Sequence, residues 1–517
     1  MRAPLSSLTE QQFDVAVLGA GVNGASAAQH LAAEGYRVLL VDKGDFASGS
    51  SSRSSRLLHC GLRYLAPGSS IWEFVLHPSR FATACRMARA AMQCRAEFVQ
   101  TTPERARALT FCFPFYDDSP YAAWQIDVAF RLLATLGPRE VPLDYRRLSP
   151  KQALSRPLMA HLRDPARLRG VAMFREYQFD WPERVTMDAV LDAERLGATV
   201  RNYTAVERLA RQGDRWQIVL RDSLEQSATP VVVTARAVFN MAGIWIDEVN
   251  RRIEGGKPHR LITGTKGAHI VVRLPPECQD YGIATLNREN EPFYCVPWRG
   301  LHYFGPTETL YEGDNDDIYV TEDEIEWLIG EANHLLPGIA IKRSNVIFTW
   351  AGVRPLTYDP EQPMGARSRE LHDLSAEGLP AVFAMTAGPI MTHRSAGREA
   401  AAALRSRMAS SGPRQEPSYA SRALPSDPNS EPLLNHDQAI RQAHICHAVA
   451  YEHAETLVDV LFRRTGDGWS ETMTREGAQF AARIMGEEKG WSPARVEAEA
   501  RRYLDHIGHL HGAGARP

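Results

Sequence analysis

The residues best placed to do chemistry by type and spacing lie near the N-terminus. The segment GAGVNG at 19–24 has GxGxxG spacing and follows the apolar run DVAVL at 14–18. In such a turn the first glycine permits the tight bend, the second lets the backbone approach a pyrophosphate, and the third lets helix meet strand. Residues 24–34 read as the helix whose N-terminal N–H groups would hold phosphates. RVLLVD at 37–42 reads as a second buried strand, ending in Asp42, 18 residues after Gly24, where a carboxylate can accept from ribose hydroxyls. The spacing predicts a dinucleotide site built from Gly19, Gly21, Gly24 and Asp42, without deciding between FAD and NAD. The next stretch, GSSSRSSRLLHCGLRYL at 49–65, is unusual for a NAD domain and offers hydroxyls and N–H groups for a second pyrophosphate contact.

The elements that must position these residues follow a coarse pattern. A long, mostly helical and Arg-rich region reaches to about residue 160, interrupted by a loop, FCFPFYDDSPY, at 111–121. Strands return from 198, with two joined at Gln212-Gly213-Asp214, another at 235–245, and further strand-like runs at 268–273, 293–298 and 301–305. TEDEIEWLIGEANHLL at 321–336 reads as an amphipathic helix opened by Thr321 with Glu324 in capping-box spacing. TAGPIMTHRSAGREAA at 386–401 reads as strand, glycine turn and helix. A Ser- and Pro-rich stretch at 409–432 marks a linker to a helical C-terminal unit, whose second helix opens near Thr474 and third at Ser492-Pro493.

Composition bounds the function classes. At 517 residues the chain exceeds a single core. With 44% hydrophobic and 23% charged residues it has the balance of a soluble globular protein. A net charge of −3, from 59 basic and 62 acidic residues, leaves no footprint for nucleic acid. No run of about 18 apolar residues suits a spanning helix, and MRAPLSSLTEQQ lacks a signal peptide's apolar core. Seven scattered cysteines without a CxxC pair suggest reduced thiols and no metal. A cytoplasmic protein, or one peripheral on the inner face of the cell membrane, is expected.

Five blocks carry a resemblance over nearly the whole chain: GAGVNGASAA at 19–28, SSRSSRLLHCGLRYL at 51–65, TKGAHIVV at 265–272, AGVRPL at 351–356, and ETLVDVLFRRTGDGW at 455–469. With these the sequence resembles the FAD-dependent glycerol-3-phosphate dehydrogenases of the D-amino-acid-oxidase-like superfamily. The resemblance implies an α/β fold: a Rossmann-type FAD-binding domain at about 12–75, 180–250 and 350–408, interleaved with a mixed-sheet substrate domain at about 76–179 and 251–349. A linker at 409–435 and an all-helical domain at 436–517 complete it.

For the cofactor FAD it implies contacts from Gly19, Ala20, Gly21, Val22, Asn23, Gly24, Asp42, Lys43, Ser50, Ser51, Ser52, Ser54, Ser55 and Val206. Ala242 and Gly243, in NMAGIWIDEV, and Gly388, Ile390, Met391 and Thr392 extend the same set. The implied reaction is hydride transfer from sn-glycerol 3-phosphate to flavin N5, giving dihydroxyacetone phosphate, with electrons passing to quinone or another acceptor. His59 is then the candidate base, since histidine titrates near working pH. Arg63 and Arg354 are candidates to bind the phosphate bidentately, Lys266 to stabilise the reduced flavin or substrate oxygen, and Tyr64 to line the pocket.

The family commonly reads Gly-Gly-Lys-Leu-Thr-Thr-Tyr-Arg where this chain has Ala387, Gly388, Pro389, Ile390, Met391, Thr392, His393 and Arg394. Pro389 and Met391 keep open an alternative: an FAD oxidoreductase of the same fold acting on another hydroxy, amine or phosphorylated polyol substrate. The Arg-rich helix at 80–98 is a candidate face for an anionic membrane.

Overall fold

In the computed structural model, residues 2–65, 77–225, 227–426 and 442–512 are described, with the side chain of Arg63 outside that set. Two sheets organise the chain. The first begins with Gln12–Leu18, whose apolar residues are buried on both faces, as a central parallel strand requires. It pairs in parallel with Val38–Val41 on one side and Val231–Asn240 on the other. Val38–Val41 then pairs with Thr199–Arg201, and Val231–Asn240 with Val382–Thr386. Helices Val22–Ala33, Pro182–Arg195 and His393–Arg405 cover one face, packing around Val15, Val17 and Leu40. The antiparallel strands Thr204–Gln212 and Arg215–Asp222 join the same sheet through Val231–Asn240, and Trp216 and Ile218 help bury its other face. Gly213, at φ +61°, makes the turn expected between them.

The second sheet runs, in spatial order, through Gln362–Ala366, Val346–Asp359, Ile262–Val272, Leu301–Gly305, Pro292–Trp298, Tyr281–Leu286, Ala106–Tyr116, Leu168–Phe179 and Leu57–Leu58. Three differences from the sequence expectation follow. The loop expected at 111–121 is largely strand, because Phe111, Cys112 and Phe115 are buried between paired neighbours on both sides. Val346–Asp359 lies in the second sheet, so the nucleotide unit does not resume at about 350. Leu57–Leu58 also pairs there, so the 12–75 portion crosses over before residue 65. An apolar run specifies a buried strand but not which sheet receives it.

The Glu322–Leu335 helix opens as expected. Thr321 Oγ1 accepts from the Glu324 N–H at 3.3 Å, and the Glu324 carboxylate accepts from the Thr321 N–H at 2.9 Å. The Ser/Pro-rich stretch is not a free tether over its described part. The Gly412 N–H donates to Gly35 O at 2.9 Å, the Gln415 N–H to Ala33 O at 2.7 Å, and the Ser418 N–H to Asp192 Oδ2 at 2.8 Å, while Tyr419 lies under Arg394. It straps across the helices of the first unit; 427–435 lie outside the described residues, as do 436–441 and 513–517 of the C-terminal unit.

That unit comprises Gln442–Tyr451, a π-helical turn Asp459–Arg464, Ala478–Lys489 and Pro493–His511, the last capped by Ser492 as expected. It docks through buried charge. Arg463 and Arg464 close on Asp45 at 2.5 and 2.7 Å, and Arg184 holds Glu452 at 2.6 Å. Arg56, fully buried, sits 4.3 Å from the Trp298 ring and 4.5 Å from that of Trp469, paired with Glu183 at 3.3 Å.

Candidate active site

The GAGVNG turn forms where Gln12–Leu18 ends. Gly19 has φ +103°, and a Cβ there would fall 2.6 Å from Met241 O; a Cβ on Gly24 would fall 1.9 Å from Gly19 O. Only glycine satisfies both positions. Val22 opens the helix, its N–H donating to Ser51 Oγ at 2.9 Å, so the serine segment is fastened to the phosphate-binding turn. The Asp42 carboxylate accepts from the Ala20 N–H at 2.6 Å and the Gly44 N–H at 2.9 Å. Burial pushes this carboxyl up to about 6, against the pull of those two donors. Val206 lies two residues beyond Thr204, whose N–H donates to Asp42 O at 2.6 Å. The Met241 N–H donates to Leu18 O at 2.8 Å, bringing Ala242 and Gly243 beside the turn, and the space off Gly243 is open. Lys43 reaches Asp316 at 2.6 Å and lies 4.5 Å from the Trp245 ring.

These residues fit a flavin dinucleotide. In the first helical turn Asn23 Oδ1 is buried with no hydrogen-bond partner among the described residues, while its amide reaches Ala387 O at 3.4 Å. A donor-rich cofactor would satisfy that acceptor.

Three segments converge beyond the turn. Ser50 Oγ donates to Val353 O at 2.6 Å, Trp350 Nε1 to Ser54 O at 3.3 Å, Tyr303 OH to Ser55 O at 2.6 Å, and the Ala387 N–H to Pro355 O at 2.7 Å. Ser52 Oγ donates to Gly49 O, and the Arg56 N–H to Ser54 Oγ. A Cβ on Gly352 would lie 2.6 Å from Arg53 O, so the SSRSS segment runs flat against the second sheet. On the sheet face it covers, the antiparallel register sets Arg354 opposite Thr265, and the guanidinium lies over Gly267. His269 shares this face, stacked on Trp350 at 4.6 Å with Nε2 3.0 Å from Ser55 Oγ. Burial holds His269 well below its usual range, helped by Arg354 and Arg56. Burial also lowers the Arg53 guanidinium to about 10, with Arg463 contributing.

His59 follows Leu57–Leu58, which pairs with Tyr177 and Gln178, and meets the Tyr64 ring edge-on at 5.9 Å. Gly388, at φ +88°, turns the chain into Ile390–Thr392. Thr392 Oγ1 donates to Pro389 O, and Met391 is buried with Leu58, Tyr177 and Phe179.

Two expected positions stand apart. Lys266 points to the opposite face from Arg354, because alternate residues of a strand face opposite ways, and it pairs with Glu324 at 2.7 Å. Met391 gives its side chain to the core, packed with Leu58, Tyr177 and Phe179. Arg63 lies on the turn Leu62–Leu65 with its side chain outside the described residues. Conversely, His269 and Tyr303 come to the site without being among the expected residues. The alternation that turns Lys266 away brings His269 to the site, and period-2 counting from Arg354's partner strand would have found it.

A glycine-cradled dinucleotide turn, facing a long mixed sheet that presents arginine and histidine, defines a flavin-dependent oxidoreductase. Residues 14–403 match the FAD dependent oxidoreductase family, and residues 418–496 match the C-terminal domain of alpha-glycerophosphate oxidase. A glycerol-3-phosphate dehydrogenase of Synechocystis is 32% identical over 75% of this chain and 69% of its own length. An alpha-glycerophosphate oxidase of Streptococcus pyogenes is 27% identical over 69% of this chain, which spans 56% of the oxidase. The glycerol-3-phosphate dehydrogenase of Bacillus halodurans, solved with FAD, shares the fold at TM-score 0.73 and 19% identity, covering 98% of this chain and 96% of its own. The chain belongs to the FAD-dependent oxidoreductases, in the glycerol-3-phosphate dehydrogenase family.

Proposed function

We propose that the protein oxidises sn-glycerol 3-phosphate to dihydroxyacetone phosphate. Bound FAD supplies the hydride acceptor. Gly19 to Gly24 and Asp42 hold its ADP half, with Ser50 to Ser55, Ala242, Gly243, Gly388, Ile390 and Thr392 around the rest. Arg354 and Arg63 seat the phosphate dianion, and His59 takes the hydroxyl proton as the carbinol hydrogen leaves as hydride. His269, held neutral by its buried position, orients the substrate without adding a third cation to the seat. The observation that carries this reading is the Arg354 guanidinium lying beside His269 on the face the SSRSS segment covers.

The test is anaerobic titration of the yellow protein with glycerol 3-phosphate, beside Arg354→Ala. The wild type should bleach at millimolar substrate and the variant should need far more. A wild type that stays oxidised refutes the substrate, and hydroxy acids, amines and other phosphorylated polyols are then screened in the same way. Met391, buried in the core, bears little on that choice, which leaves Pro389 as the departure beside the pocket.

We further propose quinone as acceptor and peripheral contact with an anionic membrane. Among the described residues no helix is long and apolar enough to cross a membrane. Exposed Phe81 on the Arg-rich helix Pro78–Thr101 and Trp124 on Ala123–Leu136 support an interfacial contact. Co-sedimentation with anionic but not neutral vesicles tests the contact, and dye reduction without peroxide release tests the acceptor.

A further inference from the structure

Beneath the turn that carries His59 lies a carboxyl group for which the proposed reaction has no use. Glu176, on the strand Leu168–Phe179, is 6% exposed. One of its oxygens accepts the N–H of Cys60, the residue after His59, at 2.8 Å, and the buried Cys60 thiol bonds the same carboxyl. The other oxygen faces Arg95 Nε at 3.7 Å; both atoms are buried and neither has a hydrogen-bond partner among the described residues. Arg95, on the helix Pro78–Thr101, is anchored by bonds to Val141 O and Arg175 O at 2.8 and 2.9 Å. That helix also grips the turn directly, since a Cβ on Gly61 would lie 3.2 Å from Ala88 Cα. His59 therefore projects from a turn clamped between helix and strand, with Glu176 as the polar contact of the clamp.

We infer that Glu176 is a positioning residue for His59, and that its ionised form fixes the turn through Cys60 and Arg95. This rests on the reading of His59 as the base. The charged or titratable groups facing Glu176 are Arg95 from the helix and Cys60 from the turn; across the sheet, on Ala106–Tyr116, it meets Leu109. Burial pushes the carboxyl up to about 7, Arg95 and the Cys60 N–H opposing it. Above that value the carboxylate pairs with Arg95 as it holds the turn; below it the proton ends that pairing and the grip weakens.

The acid limb of kcat should then record an ionisation from Glu176, and the near-isosteric Glu176→Gln should lose it. Glu176→Ala should lower kcat about ten- to a hundredfold, with a smaller rise in KM for glycerol 3-phosphate because Arg354, on the second sheet, is untouched. Infrared difference spectra across neutral pH supply a readout independent of turnover: a protonated-carboxyl band should titrate in the wild type and be missing from Glu176→Gln. If the wild-type flavin is reduced by substrate but Glu176→Gln keeps the wild-type profile and band, this inference alone is overturned. If the wild-type flavin stays oxidised, the functional reading falls and takes the inference with it.

Discussion

Gly267→Ala tests the anion seat without touching a charge. A Cβ at 267 would stand 2.6 Å from Arg354 Nη2 and 3.0 Å from Cζ, whereas ordinary contact begins at 3.4 Å. The guanidinium must withdraw by the shortfall between 2.6 and 3.4 Å, or 0.8 Å. The group that moves is the far end of a flexible side chain and Gly267 needs no left-handed backbone, so stability should change by less than about 1 kcal/mol. Binding should not escape as lightly. A charge-assisted hydrogen bond is worth about 1.5–3 kcal/mol, and each 1.4 kcal/mol is about tenfold. Losing one such bond to the phosphate should raise KM about ten- to 150-fold. Steady-state kinetics with glycerol 3-phosphate measures this, with the flavin spectrum and melting temperature as controls. In Arg354→Ala the added methyl should have no further effect, since the group it displaces is gone. A KM within about twofold of wild type in both Gly267→Ala and Arg354→Ala would refute the assignment of Arg354 to the phosphate.

Gly24→Ala should yield protein without bound flavin, since its methyl falls 1.9 Å from Gly19 O; retention of the yellow cofactor at wild-type stoichiometry would contradict the geometry. Glu452 gives a pH signature. Burial opposes its charge, yet His447 and Arg184 bring the carboxyl down to about 2 from its usual 4.5. Its folded value is depressed, so about 3 kcal/mol of stability is present above 4.5 and lost as pH falls toward 2. Melting temperature followed through that window should fall less steeply in Glu452→Gln, and equal slopes would count against the pairing.

The nucleotide half was legible because its chemistry is local: GAGVNG, the helix from Val22 and the carboxylate at Asp42 lie within two dozen residues, and sterics require glycine at 19 and 24. Hydrophobic alternation also recovered the strands flanking Gly213, and the Thr321–Glu324 spacing the box that opens Glu322–Leu335. The substrate half was less legible because it is assembled from register. Lys266 and His269 sit in one block, and only the pairing of Thr265 with Arg354 tells which of them faces the site. Pro114 and the charges after Tyr116 disguised a strand as a loop. Glu176 could not be read as a partner of Cys60 from a sequence separation of 116 residues. The serine-rich strap reads as a linker because several of the hydrogen bonds that fasten it are made by backbone, which composition does not encode.

Asp45, three residues past Asp42, is held by Arg463 and Arg464 across separations of 418 and 419 residues. Closing so long a loop carries a large entropic cost before any contact rewards it. The strand end beside Asp42 is thus braced by side chains of the helical C-terminal unit. The glycine turn is set by local sequence, but the brace beside it is in place only when the helical unit docks on Asp45.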